Sequence, residues 1–120
     1  MGSAEVIYDK REQLQQIKDY LLPGEQLYAV FDLKGAGTGY LGITDRRIVF
    51  MDRSFIRKRK SIVTIPYNRI TALGCGDEEG VVFKSSELTI IAASHEFEYE
   101  FRGIDKARKA YELIASNICQ

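Results

Sequence analysis

The sequence predicts a mainly β chain of the α+β class. It should hold seven short antiparallel strands, curled into a small barrel or two-sheet roll, with a short N-terminal helix before them and a C-terminal helix as a cap. Three observations lead there. Apolar residues recur every second position from Glu25 onward, with turn chemistry between the runs. Phe97, Tyr99 and Phe101 alternate with Glu96, Glu98 and Glu100, giving one aromatic face and one acidic face. Ile104, Ala107, Tyr111, Ile114 and Ile118 then follow a helical 3,4,3,4 spacing that must be covered by something. At 120 residues and 13.6 kDa the chain has the commonest size of one domain, so positions 1–120 are read as a single unit.

Asp9 followed by Glu12 reads as a capping-box variant, and Leu14, Ile17 and Leu21 continue at helical spacing, so the first helix is placed at about 9–22. Leu22-Pro23-Gly24 stops it, and the barrel with its capping helix occupies 23–120. Strands are expected at Gln26–Leu33, Gly39–Thr44, Arg47–Met51, Ser61–Tyr67, Ile70–Cys75, Leu88–Ala93 and Glu96–Phe101. Asp45-Arg46 and Asn68-Arg69 serve as turns, and Pro66 lies near a strand end, where a missing donor does least harm. Gly76-Asp77-Glu78-Glu79-Gly80 reads as an acidic loop, while Val81–Phe83 either adds a short strand or lengthens a hairpin.

Seventeen basic residues balance seventeen acidic ones, so no overall field draws nucleic acid to the chain. Cys75 and Cys119 lack a C-x-x-C or histidine companion and read as free thiols in a reducing compartment. The N-terminus has no apolar signal segment, and no run approaches the ~20 apolar residues that span a bilayer, so the expected location is the cytoplasm or the inner membrane face.

The concentrated charge is local. Arg53, Arg57, Lys58, Arg59 and Lys60 crowd one hairpin connection around Ser54-Phe55-Ile56, and Lys34 stands alone on the first. Such cations contact a partner's carboxylates, or an anionic lipid surface at about 1 kcal/mol per residue; these six are the candidate anion or partner contacts. Gly37-Thr38-Gly39-Tyr40-Leu41-Gly42 fits G-x-G-x-x-G, but a strand follows it rather than a helix, so no helix N-terminus is available to hold a phosphate. Ser94, His95 and Glu96 are adjacent and point to alternate faces, so they do not converge as a triad. The acidic clusters lack EF-hand spacing. No catalytic, cofactor-binding or metal-binding set is expected.

Three segments carry a resemblance: L-L-P-G-E-Q-L-Y-A-V-F at 21–31, G-I-T-D-R-R-I-V-F-M-D at 42–52, and I-P-Y-N-R-I-T-A-L at 65–73. They resemble the bacterial pleckstrin-homology-like family, whose members commonly show a preceding short helix, a T-[DN]-[KR]-R-[LI] hairpin and an I-P-Y-x-x-I turn. The resemblance implies a partly open two-sheet barrel capped by the last helix, no catalysis, no cofactor, and a tendency to ring-like or other homo-oligomers. Eukaryotic relatives of the fold bind phosphoinositides through cations flanking the first hairpin connection, where this chain carries only Lys34. The expected function is therefore protein interaction or self-assembly, probed against anionic lipid binding at 53–60.

Overall fold

One sheet of this chain is buried on both faces at its central strands, and that fact organises the rest of the architecture. The computed structural model describes residues 5–34, 39–54, 59–79 and 84–119. In chain order the elements are β1 (Ile7–Tyr8), α1 (Arg11–Lys18), β2 (Leu27–Asp32), β3 (Gly39–Thr44), β4 (Arg47–Ser54), β5 (Arg59–Pro66), a 3-10 turn (Tyr67–Arg69), β6 (Ile70–Glu79), β7 (Lys84–Ala92), β8 (His95–Arg102) and α2 (Lys106–Ile118). The first sheet has the order β1-β2-β3-β4-β5 and the second β6-β7-β8. The expected two-sheet roll with a capping helix is present, and the sheets do not close into a continuous barrel. They touch where Leu33 bridges Phe101 and the Lys34 N–H donates to the Glu100 carbonyl at 2.8 Å.

Every residue of β3 is buried, which no half-solvated strand permits. On the inner face Ala29, Phe31, Leu41, Ile43, Ile48 and Ile65 join Leu88, Ile90, Tyr99 and Phe101 of the second sheet in the main core. On the outer face Leu27, Val30, Tyr40, Val49 and Met51 pack with Leu14 and Ile17 of α1. Eight residues are too few for a stable isolated helix. Burial of Ile17, at 0 % exposure, against the sheet contributes about 1.5–3 kcal/mol and holds α1 in place.

Two glycines of the G-x-G-x-x-G run explain themselves by close approach. A Cβ on Gly39 would stand 2.0 Å from the Met51 carbonyl oxygen, and one on Gly42 would stand 3.1 Å from two carbons of Ile17. Gly42 is the flat spot on which α1 lies.

The C-terminal helix packs as its periodicity requires. Ala107, Ala110 and Ile114 are fully buried, with Tyr111, Leu113 and Ile118 partly buried around the same core. The helix begins without a cap from Asp105. A strand supplies one instead: Ser86 of β7, itself fully buried, accepts the Ala107 N–H at 3.0 Å and donates to the Gly103 carbonyl at 2.7 Å. Ser86 thus satisfies a buried donor that a helix start otherwise orphans.

The three segments singled out in the sequence meet at one place, the β3–β4 turn. Glu25, whose side chain is 0 % exposed, accepts the Arg47 guanidinium at 2.9 Å (Nε) and 3.0 Å (Nη2). It also accepts the Leu22 N–H at 2.9 Å and the Thr44 hydroxyl at 2.7 Å. Arg47 reaches on to the Tyr20 carbonyl at 2.9 Å and the Thr64 hydroxyl at 3.0 Å, while Asp45 accepts the Gln26 N–H at 2.9 Å. Tyr67 donates its hydroxyl to the Thr44 carbonyl, and burial pushes that phenol up, keeping the donor proton in place. The motif residues are one bracket joining the end of α1, β2, the hairpin and the turn into the second sheet.

Several sequence expectations need correction. Asp9 does not cap α1: Lys10 occupies the cap position, and Asp9 instead accepts the Asp32 N–H at 2.9 Å and pairs with Lys106. The helix is shorter than 9–22, spanning Arg11–Lys18, because the Glu25 bracket claims the backbone of Tyr20 and Leu22. Ile7–Tyr8 adds a short strand parallel to β2, against the all-antiparallel expectation. Gly76–Glu79 is not a loop but the end of β6, laddered to Lys84–Glu87. Tyr67 leaves the strand for the 3-10 turn, and β4 and β5 run longer than expected. Val81–Phe83 lies outside the described residues.

Three outcomes follow from these contacts. Burial by itself would raise the Glu25 pKa, but Arg47, the Leu22 N–H and Thr44 outweigh it and hold the carboxyl at about 2 against an ordinary 4.5. The folded-state value is depressed, so this contribution is complete above about pH 4.5 and is lost as pH falls through about 2. Urea melts across that window should show a loss on the order of 3 kcal/mol that Glu25→Gln flattens; an unchanged slope in the variant would refute the assignment. Ser86→Ala should cost about 1–2 kcal/mol and speed amide exchange in the first turn of α2. Gly42→Leu should dislodge α1, read as rapid proteolysis after Lys18 while the chemical shifts of the second sheet stay put.

Candidate functional site

Of the six cations marked by the sequence, the four that are described, Lys34, Arg53, Arg59 and Lys60, have backbone positions at one end of the first sheet. Leu33, Gly39, Asp52 and Ser61 form a cross-strand row, the first two joined by a 3.0 Å backbone bond from the Leu33 N–H. Lys34 follows one residue beyond this row, and the β4–β5 ladder continues past it through Arg53↔Lys60 and Ser54↔Arg59. Arg53, Arg59 and Lys60 are thus strand residues near the end of a hairpin, not members of a free loop. Arg57 and Lys58 lie outside the described residues. Lys34 is already engaged, its ammonium 3.7 Å from the Glu100 carboxylate.

The second sheet carries the opposite sign. Its inner face belongs to the core, while on its outer face the register sets Glu87 directly opposite Glu100, Thr89 opposite Glu98 and Ile91 opposite Glu96. Glu87, Glu96 and Glu98 are exposed. On β6 the neighbouring positions are Gly76 and Gly74, where an added Cβ would meet no atom within 4 Å. The face is open beside its carboxylates. Like charges set opposite each other destabilise a sheet, and of the ion pairs among the described residues only Lys34–Glu100 involves one of these four glutamates.

A third feature had no signal in the sequence. A cleft of about 200 Å³ opens between α1 and the β2–β3 pair, bordered by Lys10, Gln13, Asp32 and Arg102. At its centre Asp32 accepts the Gln13 amide at 2.7 Å, meets Arg102, and has the Lys10 ammonium at 3.6 Å. Arg102 lies 70 positions from Asp32 in the chain. Only the bridge between the sheets brings them together.

The chemistry-bearing motifs resolve without convergence. Ala93 and Ser94 both have positive φ, 50° and 68°, and form the two-residue turn between Ala92 and its register partner His95. His95 is exposed at the start of β8, with its ring 6.5 Å from that of Phe97. Cys75 and Cys119 are free and exposed. Among the described residues no cluster of histidine, cysteine and carboxylate ligands is placed to hold a metal, and no helix is long and apolar enough to cross a membrane.

With the geometry in hand, comparison with known proteins identifies the fold's relatives. Residues 21–116 match the family model described as Bacterial PH domain. The uncharacterized protein YozO of Bacillus subtilis (strain 168) is 23% identical over 105 residues, spanning 88% of this chain and 89% of that protein. The solved pleckstrin homology domain from Shewanella amazonensis SB2B superposes with a TM-score of 0.69 at 17% identity, covering 93% of this chain and 100% of that one. A DUF1696-family protein with a pleckstrin-homology domain from Shewanella loihica PV-4 gives 0.65 at 15% identity, covering 89% and 91%. The matched span runs from the bracket at Glu25 into the last turn of α2, and by it the chain belongs to the bacterial PH domain family.

Proposed function

We propose that this PH domain is a non-catalytic self-assembly module, in which the basic end of the β4–β5 hairpin of one copy rests on the acidic outer face of the second sheet of the next. The observation that carries this reading is the placement of Glu87 opposite Glu100 beside exposed Glu96 and Glu98, a face of carboxylates short of cations. The complementary charge stands on the same chain, at Arg53, Arg57, Lys58, Arg59 and Lys60. The Lys34–Glu100 pair is a small-scale version of the same attraction. A basic end meeting an acidic face is a heterologous contact, which repeats head to tail and closes into a ring where its rotation permits.

Contact between exposed charges is screened within a Debye length of ~8 Å at physiological salt. Light scattering after size exclusion should therefore give an oligomer at low salt that shrinks as salt rises. Glu96→Lys with Glu98→Lys should yield a monomer, and so should Arg59→Glu with Lys60→Glu. Mixing the two reversed variants should restore a one-to-one pair, because each then offers what the other lacks. A wild-type chain that stays monomeric at low salt and high concentration overturns the reading. If that monomer sediments with phosphatidylserine vesicles through the same hairpin, anionic lipid replaces the second copy as the partner.

A further inference from the structure

The cleft beside α1 is built, charged and incompletely satisfied. Asp32, with its side chain 12 % exposed, is shared by two cations, Lys10 and Arg102, that are each 59 % exposed. One carboxylate neutralises one of them. Glu12 borders the same cleft, so its charged lining is two cations and two carboxylates. On the helix side Gln13 is oriented by Asp32, which accepts its amide N–H at 2.7 Å and so fixes which end of the amide is which. The other end, Gln13 Oε1, is buried and has no hydrogen-bond partner among the described residues. A buried acceptor left bare costs about 1–3 kcal/mol. Glu12, on the same rim, takes part in none of the ion pairs among the described residues.

These groups define a ligand by complement. The Lys10 and Arg102 side calls for an anion, and the Gln13 and Glu12 side calls for an N–H donor, preferably charged. A lone anion leaves Gln13 Oε1 bare; a polyol leaves the cations uncompensated. At about 200 Å³ the cleft falls below the ~300–1,000 Å³ that admits drug-sized ligands. We infer that the cleft binds a small zwitterion of the α-amino-acid class, its carboxylate between Lys10 and Arg102 and its ammonium on Gln13 Oε1 and Glu12. This cleft uses none of the residues assigned to the proposed assembly, and it stands whether or not the chain self-associates.

Glycine, acetate and methylammonium test it, because the first joins the charged groups of the other two. Titrated into the full ¹⁵N-labelled chain at equal ionic strength, glycine should shift the amides of Gln13, Asp32 and Leu33 saturably. It should bind about ten-fold tighter than either fragment, the factor that one well-made charged hydrogen bond supplies. Arg102→Gln should weaken glycine and acetate together. Gln13→Met should weaken glycine about ten-fold while leaving acetate unchanged, a split that mere loosening of α1 does not produce; unperturbed shifts in β6 and β7 confirm that each variant folds. Equal affinity for acetate and glycine would reduce the cleft to an anion contact and overturn the inference, and so would the absence of saturable shifts.

Discussion

The bidentate pair between Glu25 and Arg47 is the contact on which the other parts of this fold depend. Two charges buried together are costly unless their remaining hydrogen-bonding capacity is filled, and here it is: the Leu22 N–H and Thr44 on one side, the Tyr20 carbonyl and Thr64 on the other. The pair thereby fastens four separate stretches of chain at the β3–β4 turn. It sets where α1 must end and where β2 begins, and through Tyr67 it fixes the exit toward the second sheet. Remove Arg47, and Glu25, whose side chain is 0 % exposed, is left as a buried charge without its counter-ion.

From that bracket comes the asymmetry between the sheets. The first is covered on both faces at its central strands, by the core and by α1, so the outer residues there, Val30, Tyr40, Val49 and Met51, are apolar or amphipathic and buried. The second is covered on one face only, so its other side carries carboxylates. A surface with uncompensated charge is where a charged partner gains most, which is why the assembly reading falls on the second sheet. The cleft beside α1 arises from the same covering helix: α1 brings Gln13 over Asp32, and the inter-sheet bridge at Leu33 and Phe101 brings β8, and with it Arg102, up to β2.

How much of this could be read beforehand depends on the range of the interaction. The alternation of Phe97, Tyr99 and Phe101 with glutamates, and the helical stripe through Ala107 and Ile114, are short-period signals that survive in any compact arrangement, and both elements stand where they were expected. Asp9 resembles a cap in the sequence because Glu12 follows it three positions on; its actual partners Asp32 and Lys106 are distant, the latter by 97 positions. Gly76 to Glu79 has the composition of a loop, and only the ladder to Lys84–Glu87 makes it strand. The cations at 53–60 are visible in the sequence as a cluster, but the seat of Arg53, Arg59 and Lys60 at the end of a ladder is not.

Local patterning by itself determined the seven strands from β2 to β8 in order, the stop at Leu22-Pro23-Gly24, the last helix and the family resemblance, because propensity and periodicity act over a few residues. Tertiary structure alone decided that Glu25, Thr44 and Arg47 form one bracket, that Ser86 caps a helix from a strand, and that Lys10, Gln13, Asp32 and Arg102 share a cleft. Hydrogen bonds and ion pairs of that kind join residues by distance in space, and no spacing along the chain encodes which distant groups the closing of two sheets will bring within 3 Å.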